Sequence, residues 1–286
     1  MNRRVLGFLS LRGLPLTATV LMSLSCAREE TQAPVQALGQ GTNTSEIHSK
    51  HFFYGCPMGT DATNDLIIRD IYALSSNDRT KFADWVAYRL DEKSVSGDAT
   101  TRRNFKADPW LDDAETLETD DYDGAWEDLS VDRGHQAPLA SFKGTDFWAQ
   151  TNYLSNITPQ KSALNQGPWK RLEEKVRGLV EAGHVVYVIT GPLYERGFPA
   201  LPGADEPHQV PSGYWKIVAL ETDSVICASF MFDQETPRDN PIVSHLCTIN
   251  DVEAKSRLDF LWQLPDDIEE KIESDTFQAW ARANFD

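Results

Sequence analysis

Apolar positions along the chain fall mostly into strand-length runs, and helical spacing is confined to a few stretches. DLIIRDIYALS alternates imperfectly and predicts a first strand. TKFADWVAYRL, with aromatic and β-branched residues, predicts a second on a partly buried sheet. From Asp91 to Asp132 the chain is polar, interrupted by Pro109, and predicts a surface loop with one basic run, Thr101 to Lys106. Val131 to His135 predicts a strand end, with Gly134 admitting a tight backbone. Pro168 suits the first turn of a helix, and WKRLEEKVRGLVEAG carries helical spacing to Gly183. HVVYVITGPL is a continuous apolar run that predicts a buried strand. YWKIVALET, VICASFMFD and PIVSHLCTI predict three more. DVEAKSRL and PDDIEEKIESDTFQAWARA read as surface helices, the second opening at Pro265 with acids in its first turn. With many strands, few helices and no internal repeat, the expected fold class is α+β: a mainly antiparallel sheet core with flanking helices.

The first fifty residues break this pattern. Arg3 and Arg4 precede an apolar run from Leu14 to Leu24 that is too short to span a bilayer, as in an export signal. Ser23-Leu24-Ser25-Cys26 is similar to a lipoprotein cleavage box that would place lipid on Cys26. Ser25-Cys26-Ala27 also fits ordinary cleavage after Ala27, and Arg3-Arg4 admits a twin-arginine reading. All three place the mature protein outside the cytoplasm. Residues 28–50 are polar, without apolar periodicity, and predict a flexible spacer. The expected organisation is an export signal over 1–27, this spacer, and a single domain over 51–286.

Composition changes the picture in two ways. A hydrophobic share of 41% supports a globular body, whereas a formal charge of -17 argues against a general nucleic-acid binder. Net charge governs solubility and steering rather than local chemistry, however, and the acids concentrate in Asp108–Asp132 and Asp266–Glu273. Without Cys26, three cysteines remain: Cys56, Cys227 and Cys247. If Phe232 pairs with Ile242, the same register sets Cys227 opposite Cys247, so a cross-strand disulfide is expected there. No CxxC spacing suggests a metal site.

Candidate chemistry gathers between Asp132 and Arg177. His135 follows Arg133 across a glycine, and a histidine near neutral pKa can take a proton from water. A lone histidine is more often structural; the company of Arg133 and several asparagines favours the base. Asn165 offers a hard carbonyl oxygen of the kind Mg²⁺ accepts, against the bland reading of a helix cap. Glu173 lies eight residues on, about two helical turns, on the same face. It could hold water near an ion, or merely pair with Arg177 at i,i+4. Asn152 and Asn156 read blandly as turn builders and Arg103 as an exposed loop arginine.

DRGHQAPLAS followed by NYLSNITPQKSALNQGPWKRLE resembles the DNA/RNA non-specific endonucleases, and within them the Serratia-type extracellular enzymes. TRRNFKADP, TGPLYER, PSGYWK and FMFDQETP extend the likeness over roughly Cys56 to Asp275. The resemblance implies a ββα-metal active site and an exported, Mg²⁺-dependent, sugar-nonspecific endonuclease, with Mn²⁺ as a substitute ion. DNA and RNA would be its substrates and 5′-phosphorylated ends its products. It implies His135 as general base, Asn165 as the protein ligand of a hydrated Mg²⁺, Glu173 as a group orienting the ion's water, and Arg103 as transition-state cation. Arg133 and Asn156 would support catalysis, Asn152 and Arg177 would contact substrate, and a homodimer would be in keeping with related enzymes. The cysteine plan departs from the family: Phe52 stands where Cys56 would find its partner, Cys247 lacks its C-terminal partner, and Cys227 is additional. The competing readings are a non-catalytic nucleic-acid-binding surface lipoprotein and a nuclease toxin.

Overall fold

Seven strands hydrogen-bond in the order β1 (Asp65–Ile68), β2 (Ala73–Ser76), β3 (Ala83–Leu90), β6 (Val186–Leu193), β7 (Gly213–Glu221), β8 (Val225–Asp233) and β9 (Leu246–Cys247), every neighbouring pair antiparallel. A separate ribbon pairs β4 (Val131–His135) with β5 (Ile157–Lys161). In this computed structural model the described residues are 47–97, 102–222 and 224–286. The expected export signal, Cys26 and most of the expected spacer lie outside them. Among the described residues no helix is long and apolar enough to cross a membrane.

Period-two alternation makes the central strands two-faced. On β7, Tyr214, Val218 and Leu220 join one core, while Trp215, Ile217 and Ala219 join another. On β6, Val186 and Val188 face the first and Ile189 and Leu193 the second. The first core is covered by α4 (Lys170–Glu181), whose Leu172, Val176, Leu179 and Val180 are buried. Each such side chain stabilises the fold by roughly 1.5–3 kcal/mol. The second is covered by α5 (Ile249–Ser256) and α6 (Asp266–Glu273). A third, smaller core gathers Phe82, Leu117, Tyr122, Val131, Leu154 and Ile157 and seats the β4–β5 ribbon beside the sheet.

Several expectations change. DLIIRDIYALS is not one strand but the hairpin β1–β2, because Arg69 turns inward to a fully buried ion pair with Asp108. The stretch expected to be a plain loop before Asp132 carries two short helices, α1 (Glu92–Val95) and α2 (Ala125–Leu129). The C-terminal helix is two: α6 and α7 (Gln278–Phe285), separated at Phe277, whose φ is 47°. PIVSHLCTI is mostly a 3₁₀ turn, Ile242–His245, leaving a two-residue β9. That turn resets the register: Cys247 faces Ser229, and Cys227 faces Ala219. The expected Cys227–Cys247 disulfide is therefore absent, and all three cysteines of the described residues are free thiols.

Candidate active site

The ribbon runs directly into helix, giving strand, strand and helix in close succession. β5 is followed by α3 (Ser162–Leu164), a widened π turn over Asn165–Trp169, and α4. Pro168 sits inside that turn rather than opening the helix, so helical structure begins earlier than its position suggested. Gly167 is required there, since a Cβ would stand 2.6 Å from the Arg238 carbonyl oxygen. Gly134 serves close approach rather than a tight turn: a Cβ there would lie 2.7 Å from Gln160 Oε1 on the paired strand.

His135 is half-buried at the end of β4, its ring 5.6 Å from that of Phe105. Its Nε2 meets Asn152 Oδ1 at 3.3 Å, and Asn152 Nδ2 donates to the Arg102 carbonyl at 3.3 Å. Because the amide nitrogen is engaged by a carbonyl, the oxygen must face the imidazole and accept from it. The proton of the neutral ring is then on Nε2, leaving the lone pair on Nδ1. Burial drives the His135 pKa down to about 4, outweighing the Asn152 contact that favours the charged form; nearby Arg103 lowers it further. At neutral pH the ring is an uncharged acceptor.

Asn165 is oriented by the same logic. Asp132 Oδ2 accepts from Asn165 Nδ2 at 2.8 Å and from Gln166 Nε2 at 2.9 Å. A carboxylate can only accept, so the Asn165 nitrogen must face it and the oxygen turns away. A single neutral carbonyl oxygen, fixed in direction and open to a cleft, fits a Mg²⁺ ion that keeps several of its waters. The two three-carboxylate groups among the described residues, Asp65–Asp78–Glu115 and Glu118–Asp121–Glu206, do not include it.

Glu173 lies half-buried on α4, its pKa raised to about 7 by burial, with Lys216 and Arg177 opposing that rise. Lys216 is the residue that sequence reasoning overlooked. It is fully buried on β7, its Nζ 4.3 Å from the Trp169 ring and 5.9 Å from that of Tyr88, without a hydrogen-bond acceptor. Burial lowers its pKa to about 8. A lysine at the same parity as Tyr214 and Val218 in an otherwise apolar strand was the available signal.

The other predicted positions separate by what they touch. Arg103 is exposed and lines the cleft with Asn165. Arg133 lines it too, but its guanidinium donates to the Thr119 carbonyl at 2.7 Å and lies over the rings of Tyr122 and Phe105. Asn152 is 1% exposed and holds His135. Asn156 is wholly buried; its amide ties Ala137 and Thr151 together through three hydrogen bonds, which fixes the exit of β4. Arg177 is half-buried beside Glu173 without a close ion pair; the ion pair on this helix joins Lys170 to Glu174. From 102 to 106 successive side chains alternate between two clefts. Arg102, Asn104 and Lys106 line one of about 370 Å³ with Asn152, and Arg103 and Phe105 line one of about 520 Å³ with Asn165.

Comparison with known proteins agrees with this geometry. Residues 49–267 match the model of the DNA/RNA non-specific endonucleases. The chain is 45% identical to a nuclease of Serratia marcescens over 77% of its length and 83% of that protein. It is 30% identical to a nuclease of Nostoc sp. over 91% of its length and 96% of that protein. A chain from the crystal structure of the EndoG/EndoGI complex superimposes with a TM-score of 0.62 at 26% identity, covering 74% of this chain and 90% of that one. The antiparallel sheet, the strand–strand–helix site and the sequence match together place this chain in the DNA/RNA non-specific endonuclease family.

Proposed function

We propose that the chain is an exported, Mg²⁺-dependent endonuclease that hydrolyses both DNA and RNA to 5′-phosphorylated products. Endonuclease activity follows from family membership; the ion, the products and the residue roles are our reading. The observation that carries it is the matched fixing of two carboxamides. Asn152 holds His135 with its Nδ1 lone pair unencumbered, and Asp132 holds Asn165 with its oxygen turned away.

In this reading His135 Nδ1 takes a proton from the attacking water as its oxygen bonds to phosphorus; the phosphorus–O3′ bond breaks, O3′ leaves as a hydroxyl after taking a proton from solvent water, and the phosphate stays on O5′ of the downstream strand. Mg²⁺ held by Asn165 would supply Lewis-acid charge at the scissile phosphate. Arg103 adds positive charge as the transition state forms, and Glu173 orients water beside Asn165. Arg133, Asn152 and Asn156 act by positioning these groups, and Arg177 contacts substrate. Contact through phosphates carries little sequence information, which supports action on either nucleic acid. Export rests on Arg3, Arg4 and the Leu14–Leu24 run, and lipid attachment on Cys26. The test is incubation of purified protein with supercoiled plasmid and with RNA, in Mg²⁺ and then in EDTA. Cleavage of both in Mg²⁺ alone is expected; equal cleavage in EDTA, or none in Mg²⁺, overturns the reading.

A further inference from the structure

We propose that Trp126 is the platform of a nucleobase-stacking subsite beside the candidate catalytic centre, so that the enzyme favours unpaired over duplex strands. This rests on the endonuclease reading and adds a specificity element to it. Trp126 is 54% exposed, whereas Trp85, Trp169 and Trp215 are at most 1% exposed. Trp110 is also exposed, but its ring is faced by the Arg69 guanidinium at 4.0 Å. Trp126 lines the same 520 Å³ cleft as Asn165 and the cations Arg103, Arg133, Lys170 and Arg238. An open aromatic surface among cations is the chemistry of single-strand binding: the cations meet phosphates and the ring meets a base.

The backbone that carries the ring is also anchored. α2 is anchored by buried Ala125 in the third core and closed by Ser130, whose N–H donates to the Trp126 carbonyl at 3.0 Å; β4 follows at once. Glu127 and Asp128 beside it are exposed and would repel phosphate, which leaves the uncharged base as the group this corner can accept. A base within a duplex must first leave its stack, at a cost of a few kcal/mol, while a single strand offers its bases freely.

The experiment compares Trp126→Ala, Trp126→Leu and Trp126→Phe with the parent on single-stranded DNA, on duplex of the same sequence, and on single-stranded DNA carrying abasic sites. Loss of the ring should raise KM for the single strand about 5- to 100-fold, more than it lowers kcat, with a smaller effect on duplex. Trp126→Phe should restore most of the difference and Trp126→Leu should not, which separates stacking from simple filling of space. Abasic sites should weaken the parent but leave Trp126→Ala nearly indifferent. A single-strand KM within twofold of the parent for both Ala and Leu variants overturns the subsite, as does equal sensitivity of parent and variant to abasic sites. Failure of the parent to cut any substrate in Mg²⁺ would instead remove the endonuclease reading itself.

Discussion

The Asp132 carboxylate accepts the Asn165 side-chain N–H at 2.8 Å, and this contact decides which end of the Asn165 amide faces the cleft. Without Asp132 the amide can rotate by half a turn and present N–H where a cation needs oxygen. Asp132→Ala should therefore lower activity by about 10–100-fold, as loss of a group that orients a metal ligand does elsewhere. The deficit should shrink as Mg²⁺ is raised, because the ligand is misdirected rather than removed. Titration of rate against Mg²⁺ concentration checks this; a loss independent of the ion would assign Asp132 another role.

The pH dependence follows from two opposite shifts with one cause. Burial lowers His135 to about 4, so its lone pair is available above that pH, and raises Glu173 to about 7, so its charge is present only above that. A rate that needs both groups unprotonated rises through the higher value. The acid limb of kcat/KM should therefore fall near pH 7, and Glu173→Gln, slower overall, should lose that limb and titrate near pH 4. A parent limb near 4 would show that Glu173 ionisation does not matter to the rate.

Lys216 tests the same pair from beneath. Its buried Nζ has no acceptor and stands 4.3 Å from the Trp169 ring, and its charge favours ionised Glu173. Lys216→Met removes that charge while keeping an unbranched apolar chain, so Glu173 should ionise at higher pH still. Activity should drop at pH 7 and recover toward pH 9, and thermal stability should fall as pH rises, because Glu173 must then ionise without its buried counter-charge. An unmoved acid limb would disconnect Lys216 from Glu173.

Why the role of Asp132 escaped notice while that of His135 did not is a matter of where the information lies. The DRGH run, the asparagines and the spacing to Glu173 are local, and the structure brings His135, Asn152 and Asn165 to the ends of one ribbon. The parity of Lys216 was equally local: strand alternation puts it with Tyr214 and Val218 once the strand is recognised. Asp132 was visible as a residue but not as an orienter, because its contact spans 33 positions. The β8–β9 register was not legible, since it depends on a 3₁₀ turn after Pro241 that replaces most of an apparent strand. The hairpin at Arg69 likewise depends on Asp108, 39 positions away.

Glu273 offers a test of stability apart from the site. It is 6% exposed at the end of α6, one carboxylate oxygen has no hydrogen-bond partner, and burial, with Glu253 and Glu269 nearby, raises its pKa to about 8. The sign follows from which form the fold disfavours. Below the ordinary carboxylate range, near 4.5, the group is protonated folded or unfolded and nothing is lost. As pH rises toward 8 the unfolded chain ionises freely while the folded chain resists, so the fold is progressively destabilised. Glu273→Gln removes the titration and should stabilise by up to about 4 kcal/mol at pH 8, raising Tm by roughly 2–4 °C for each kcal/mol in a chain of this size. At pH 4.5 the two proteins should melt together. Thermal melts at both pH values decide it: a gain of the same size at pH 4.5 would point to packing, and no gain at pH 8 would mean that Glu273 ionises in the fold without penalty.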